Sequence, residues 1–224
     1  MRIEAECKYL VTEQTETEFP EARELEVILS SAGLGLHPLG TAVHKDRYYD
    51  DARLSLARAG FALRRRMGEG KFVATLKTLG EVRGALHVRG ELEEEIPLDA
   101  ATWDAWPNTI AETVRTVCDP RSLNAVMTLE VERASYQVTQ GLQEVAVLSF
   151  DHVTAQRPRS EQVVAWREVE IEATPHAQEV SDTSTEEQHD LLVPIGNLVA
   201  SLIPTEPTLE TKLQRAQSKF RGTG

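Results

Sequence analysis

The stretch Ile3-Glu4-Ala5-Glu6-Cys7-Lys8-Tyr9 alternates strictly between apolar and charged residues. Successive side chains of a strand point to opposite faces, so Arg2, Glu4, Glu6 and Lys8 share one face while Ile3, Ala5, Cys7 and Tyr9 share the other. Alone, this pattern fits an edge strand with its charges in water. The same device recurs along the chain with complementary charges, and that recurrence constrains the fold.

Phe61 to Arg66 puts Arg64 and Arg66 on one strand face, and Lys71 to Leu79 puts Lys71, Val73, Thr75 and Lys77 together. Leu86 to Ile96 carries His87, Arg89, Glu91, Glu93 and Glu95 on a single face. Three later strands, Thr128 to Thr139, Gln143 to Thr154 and Gln162 to Ala173, hold Arg133, Asp151 and the triplet Glu168, Glu170 and Glu172. With Leu36 to Asp50, about eight extended segments emerge, mostly hairpin-linked.

Helical spacing appears at Ala22, Leu25, Ile28 and Leu29, with Pro20 in the first turn and Gly33 as terminator. A short turn over Asp51 to Arg58 is expected to bury Leu54 and Leu56. Pro97-Leu98-Asp99 looks like a helix start, followed by pieces over 102–106 and 108–117 in which Trp103 and Trp106 pack on the barrel. A polar linker, a helix over 191–202 and a helical turn carrying Lys212 close the sequence. Because helices are available to cover an apolar exterior, the charged faces are expected to line a wet interior. Such an interior is tolerable only when its ions are paired or matched by a ligand.

The residue types suit one ligand class. Glu4, Glu6, Glu91, Glu93, Glu168, Glu170 and Glu172 offer hard oxygen donors fitting Mg2+ or Mn2+. Lys8, Arg64, Arg66, Lys77 and Arg89 suit phosphate oxygens. Gly68, Gly70 and Lys71 lack the spacing of a phosphate loop. The histidines show no metal-ligand spacing, and His87 reads as lining or surface. The net charge of −12 argues against coating nucleic acid or an anionic membrane. Two cysteines make no disulfide framework, and neither a leader nor an apolar run of about 18 residues is present, so a cytoplasmic protein is expected.

The ordered set of motifs resembles the CYTH superfamily of triphosphate tunnel metalloenzymes, which includes class IV adenylate cyclases and thiamine triphosphatases. Glu4, Glu6 and Lys8 match its opening signature. Asp46-Arg47-Tyr48-Tyr49-Asp50, Leu63-Arg64-Arg65-Arg66, Thr75-Leu76-Lys77, Arg89-Gly90-Glu91-Leu92-Glu93, Arg133, Asp151, Glu170 with Glu172, and Thr211-Lys212 follow in order. The resemblance implies an α+β fold, an eight-stranded antiparallel β-barrel forming a tunnel with a charged interior, flanked by helices. Residues 1–224 would form one domain, with C-terminal helices at about 186–220 packing on the barrel.

Carried over, Lys8, Arg64, Arg66, Lys77, Arg89, Arg133 and Lys212 would grip phosphates. Glu4, Glu6, Glu170 and Glu172 would hold metal, supported by Glu91, Glu93 and Asp151, and Glu4, Glu6 and Lys8 would be catalytic. Two departures stand out: many members have a basic residue where Val131 stands, and Thr211 replaces a serine. The expected activity is Mg2+- or Mn2+-dependent hydrolysis of inorganic triphosphate to diphosphate and phosphate. Alternatives are cyclisation of ATP, hydrolysis of thiamine or nucleoside triphosphate, and binding of polyphosphate or nucleotide without turnover. The group that separates them would be read at the tunnel mouth, near Tyr48, Tyr49 or Trp166. The expected partner is a triphosphate-bearing small molecule, with neither nucleic acid nor membrane, and a homodimer is compatible with the sequence.

Overall fold

The opening strand, β1 (Arg2–Val11), is hydrogen-bonded along both edges and closes a barrel. The computed structural model describes residues 1–12, 18–97, 106–174 and 185–222. Around the circuit β1 is followed by β9 (Val163–Ala173), β8 (Gln143–Gln156), β7 (Asn124–Gln140), β2 (Leu34–Asp50), β3 (Phe61–Gly68), β4 (Lys71–Thr78) and β6 (Leu86–Ile96). β6 then pairs with β1, and every pairing is antiparallel. Two three-residue strands, β5 (Glu81–Arg83) and β10 (Thr205–Pro207), extend β6 and β1. Neither is announced by the sequence, since three residues carry no period.

Local chemistry sets the register. The β3–β4 hairpin turns on Glu69 and Gly70, both at positive φ (52° and 75°), the twist that suits a two-residue hairpin. Its register then places Arg64 opposite Thr75 and Arg66 opposite Val73. At the β7–β8 turn Gly141 supplies φ 61°.

The apolar face of β1 points outward. Ala5, Cys7 and Tyr9 pack with Leu25 and Leu29 of α1 (Ala22–Ser30) and with Leu192, Ile195 and Val199 of α4 (Thr185–Ala200). Gly196 permits this approach: a Cβ there would stand 2.1 Å from Tyr9 Oη. A second exterior cluster joins Leu63, Ala74, Leu76 and Ile96 to Leu56 of α2 (Ser55–Arg58), Trp106, and Ile110 and Val114 of α3 (Asn108–Arg115).

A third cluster lies inside the barrel. Leu10, Met127, Leu129, Val131, Val153, Ala155 and Trp166 share the inward parity of Lys8, Arg133, Asp151 and Glu168. They meet Ala216 and Phe220 of α5 (Lys212–Gly222), a full helix where the sequence suggested a single turn. The interior is therefore charged at its centre and toward the start of β1, and apolar where β1 ends.

Three further expectations need correction. Glu21 caps α1, so Pro20 lies just outside the helix rather than in its first turn. Leu54 is exposed at φ 55°, and only Leu56 of that pair is buried. The helix expected over 191–202 runs instead from Thr185 to Ala200. Leu98-Asp99 of the expected helix start, residues 102–105 of the next piece with Trp103, and most of the polar linker lie outside the described residues.

Candidate active site in the barrel interior

Alternation inside a closed barrel brings distant charges together. A cavity of about 300 Å³ is lined by Lys8, Arg64, Arg66, Lys77, Arg89, Arg133 and Lys212, all seven of the expected phosphate-gripping residues. Glu4, Glu6, Glu91, Glu93, Glu170 and Glu172 line it too. Asp151 does not; it is fully buried behind Arg133 and Lys212.

Each of the seven cations is ion-paired. Lys77 Nζ lies 2.7 Å from Glu4 Oε1 and 3.0 Å from Glu91 Oε1. Arg89 Nε donates to Glu4 Oε2 at 2.9 Å, and its Nη2 pairs with Glu6. Lys8 pairs with Glu170 and, at 3.3 Å, with Glu6. On the adjoining strands β2 and β3, Arg66 grips Asp46 through Nε and Nη2 at 2.7 and 2.9 Å, and Arg64 Nη1 reaches the same carboxylate at 3.1 Å. Arg133 bridges Asp151 and Glu170.

Lys212 enters from the N-terminal end of α5. Its Nζ lies 2.9 Å from Asp151 Oδ2, 2.5 Å from Glu168 Oε1 and 2.6 Å from Glu170 Oε1. Glu168 also accepts the indole N–H of Trp166 at 2.6 Å. Glu168 was recognised in the sequence only as a possible oxygen donor; its tie to Lys212 had no sequence signal, because 44 residues and a helix separate them.

These pairs govern ionisation. Burial pushes the Glu4 carboxyl up, but Lys77 and Arg89 more than reverse this and hold it well below the usual range. Glu170 is likewise held low against burial by Lys212, Lys8 and Arg133. Glu172 behaves oppositely: burial, then the negative charge of Glu4 and Glu6, pushes it up to about 7.

Two groups of carboxylates can be weighed as metal donors. Asp151, Glu168 and Glu170 bring ligand oxygens within 4.8 Å of one another, but the Lys212 ammonium already sits among them. Glu4, Glu6 and Glu172 all line the cavity and lie close enough for Glu4 and Glu6 to help raise the Glu172 carboxyl, with Lys77, Arg89, Lys8 and Arg2 as their partners. Such a set of hard oxygens fits a Mg2+-like ion. His87, expected as lining or surface, is neither: it is buried away from the cavity, its Nε2 2.8 Å from the Thr208 carbonyl.

The mouth differs from expectation. Tyr48 lines the cavity from within, but Tyr49 lies on the outer face, edge-on to Trp106 at 5.7 Å, and Trp166 is buried beneath α5. Phe61, Leu79 and Leu213 instead supply the cavity's apolar side, beside Gln214 and Gln217.

A closed antiparallel barrel whose ionised faces converge on a central cavity defines a tunnel protein. The family model for the CYTH domain matches residues 2–205, and the chain belongs to the CYTH family, whose proteins act on triphosphates. Comparison with curated proteins finds no significant sequence match. Among solved structures, a proposed adenylate cyclase from Bacillus halodurans is 20% identical, with a TM-score of 0.56 over 96% of this chain and 98% of that one. A Hippeastrum protein, a proposed adenylyl cyclase with a dominant triphosphatase activity, is also 20% identical, with a TM-score of 0.59 over 96% of each chain. A Pyrococcus horikoshii protein is 15% identical, with a TM-score of 0.54 over 96% of this chain and 99% of that one. At these identities the likeness bears on the fold.

Proposed function

We propose that the chain is a divalent-metal-dependent triphosphatase that hydrolyses inorganic triphosphate to diphosphate and phosphate. One observation carries the reading: eight cations line one cavity, and every one is paired with a carboxylate. Phosphate oxygens can take over those pairings, and the carboxylates they displace then need another cation.

The charge balance makes that need concrete. Six carboxylates and eight cations, Arg2 included, line the cavity, and Asp46, Asp151 and Glu168 stand behind them. The interior therefore has no net positive charge to offer a polyanion. Glu4, Glu6 and Glu172, with Glu170, are the donors that would hold a divalent ion. Such an ion, when bound, supplies positive charge and lowers the pKa of a coordinated water. Arg64, Arg66, Lys77 and Arg89 align and neutralise the phosphate chain, while Lys8, Arg133 and Lys212 hold its far side, a division set by the walls from which they project.

The apolar strip of Phe61, Leu79 and Leu213 favours a second reading, a triphosphate ester such as a nucleoside or thiamine triphosphate. Phosphate release from inorganic triphosphate, ATP and thiamine triphosphate, measured with Mg2+, Mn2+ or chelator, separates them. Metal-dependent release from inorganic triphosphate alone is the expected result. Turnover of only the esters would favour the second reading, and cyclic AMP from ATP would make the protein a cyclase. Full metal-dependent activity in Glu4→Gln would overturn the assignment of this cavity.

A further inference from the structure

Arg64 and Arg66 both hold Asp46, which is fully buried, while lining the cavity, so a phosphate bound there competes with that carboxylate for their N–H groups. A phosphate that draws them away leaves a buried carboxylate without a counter-ion, which its desolvation strongly disfavours. Something must offset that cost.

His44 is placed to do so. It lies two residues before Asp46 on the same inward face of β2, with Nε2 4.0 Å from Asp46 Oδ2. The residue is only 7% exposed, and Nε2 has no hydrogen-bond partner among the described residues. Its direct cross-strand neighbours are Gly68 on β3 and Val131 on β7, neither able to bond to the ring. Charged groups facing it are Arg64 and Arg66 from β3, Arg133 from β7, and Asp46 on its own strand. Nε2 is thus a buried polar atom without a hydrogen bond, beside a buried carboxylate that ligand binding would strand.

The geometry points to His44 as the residue that replaces Arg64 and Arg66 at Asp46 when triphosphate binds: its imidazole takes a proton from solvent and becomes the counter-ion of Asp46, releasing both guanidinium groups to phosphate. This rests on the triphosphate reading of the cavity. Before binding, burial and then Arg66, against the pull of Asp46, push the His44 pKa down to about 3, so the ring is neutral. Moving the arginines toward phosphate weakens their repulsion, and the arriving polyanion favours the imidazolium further. His44 is a positioning residue, acting through Asp46 and the arginines.

The test is calorimetric titration with the diimido analogue of triphosphate and Mg2+ near pH 7, in buffers of different ionisation enthalpy. His44→Gln, which keeps a donor but cannot titrate, is expected to take up about one proton fewer per ligand than the wild type. Its affinity should fall about tenfold at that pH, and the gap should close near pH 9, where the wild-type ring also stays neutral. Asp46→Asn, whose amide needs no counter-ion, should lose the same proton uptake with His44 present. In the wild type, the His44 imidazole carbon resonances should move to protonated positions on ligand addition, a readout that does not depend on any variant folding. Equal proton uptake and affinity in His44→Gln, uptake that persists in Asp46→Asn, or unmoved His44 resonances would each overturn the role. A wild type that fails to bind the analogue would overturn the triphosphate reading and this inference with it.

Discussion

Lys212 Nζ lies 2.5 Å from Glu168 Oε1, so the helix that fills the barrel's apolar end also delivers a cation to its charged centre. Packing and electrostatics are coupled in one element. Phe220 and Ala216 seat α5 against Leu129 and Val153, and the seating fixes the backbone from which Lys212 reaches three carboxylates.

Lys212→Met should therefore destabilise the fold as well as impair binding. The substitution roughly keeps the volume but leaves Asp151, Glu168 and Glu170 short of one buried cation, a change worth about 3–5 kcal/mol. Denaturant unfolding should show that loss. If Lys212 contributed only to ligand binding, unfolding would be unchanged.

Much of this was legible in the chain, for a physical reason. Charged residues at alternate positions cannot be buried without partners, so Glu4, Glu6 and Lys8 demanded complementary strands, and Arg64, Lys77 and Arg89 stood where such strands would be. Apolar alternation carries no comparable demand. Val131 and Leu129 could face helices or interior equally well, and only closure of the barrel decides; the apolar end with its α5 plug was invisible for that reason. The pairing of Asp46 with Arg64 and Arg66 was hidden differently, since the partners lie on neighbouring strands whose register depends on the turn at Glu69 and Gly70.

Gly196→Ala tests how tightly α4 is held on β1. The added methyl would overlap the buried ring of Tyr9, whose neighbours Leu192 and Ile195 leave it little freedom to turn. Overpacking of this kind costs about 1–3 kcal/mol, despite the better helix propensity of alanine. Thermal unfolding should fall accordingly. An unchanged or higher Tm would mean that α4 can shift off Tyr9 freely.

Arg64→Ala should raise KM for triphosphate and lower kcat. The guanidinium pairs with Asp46 and lines the cavity, so its loss removes a phosphate contact that is present in the ground state and strengthens in the transition state. Removal of one charge-assisted contact should cost about 1.5–3 kcal/mol in kcat/KM. Steady-state kinetics on inorganic triphosphate would show this; a fall in kcat alone would mean that Arg64 meets the chain only in the transition state, and unchanged kcat and KM would place it away from the bound chain.

Glu172 is expected to set the pH dependence of metal binding. Burial, with Glu4 and Glu6 nearby, raises its carboxyl from an ordinary glutamate value of 4.5 to about 7. A group whose acid form is favoured in the fold must give up its proton before it can ligate, so metal affinity is expected to be full above about pH 7 and to fall progressively below it. Around neutrality, binding should release a proton to the buffer. Glu172→Gln should weaken Mg2+ binding at high pH and flatten its pH profile between about 5 and 7, because the titrating ligand is gone. Equilibrium Mg2+ or Mn2+ titrations across that range check this without turnover. A profile that keeps its slope in Glu172→Gln would move the titration to another carboxylate and remove Glu172 from the donor set.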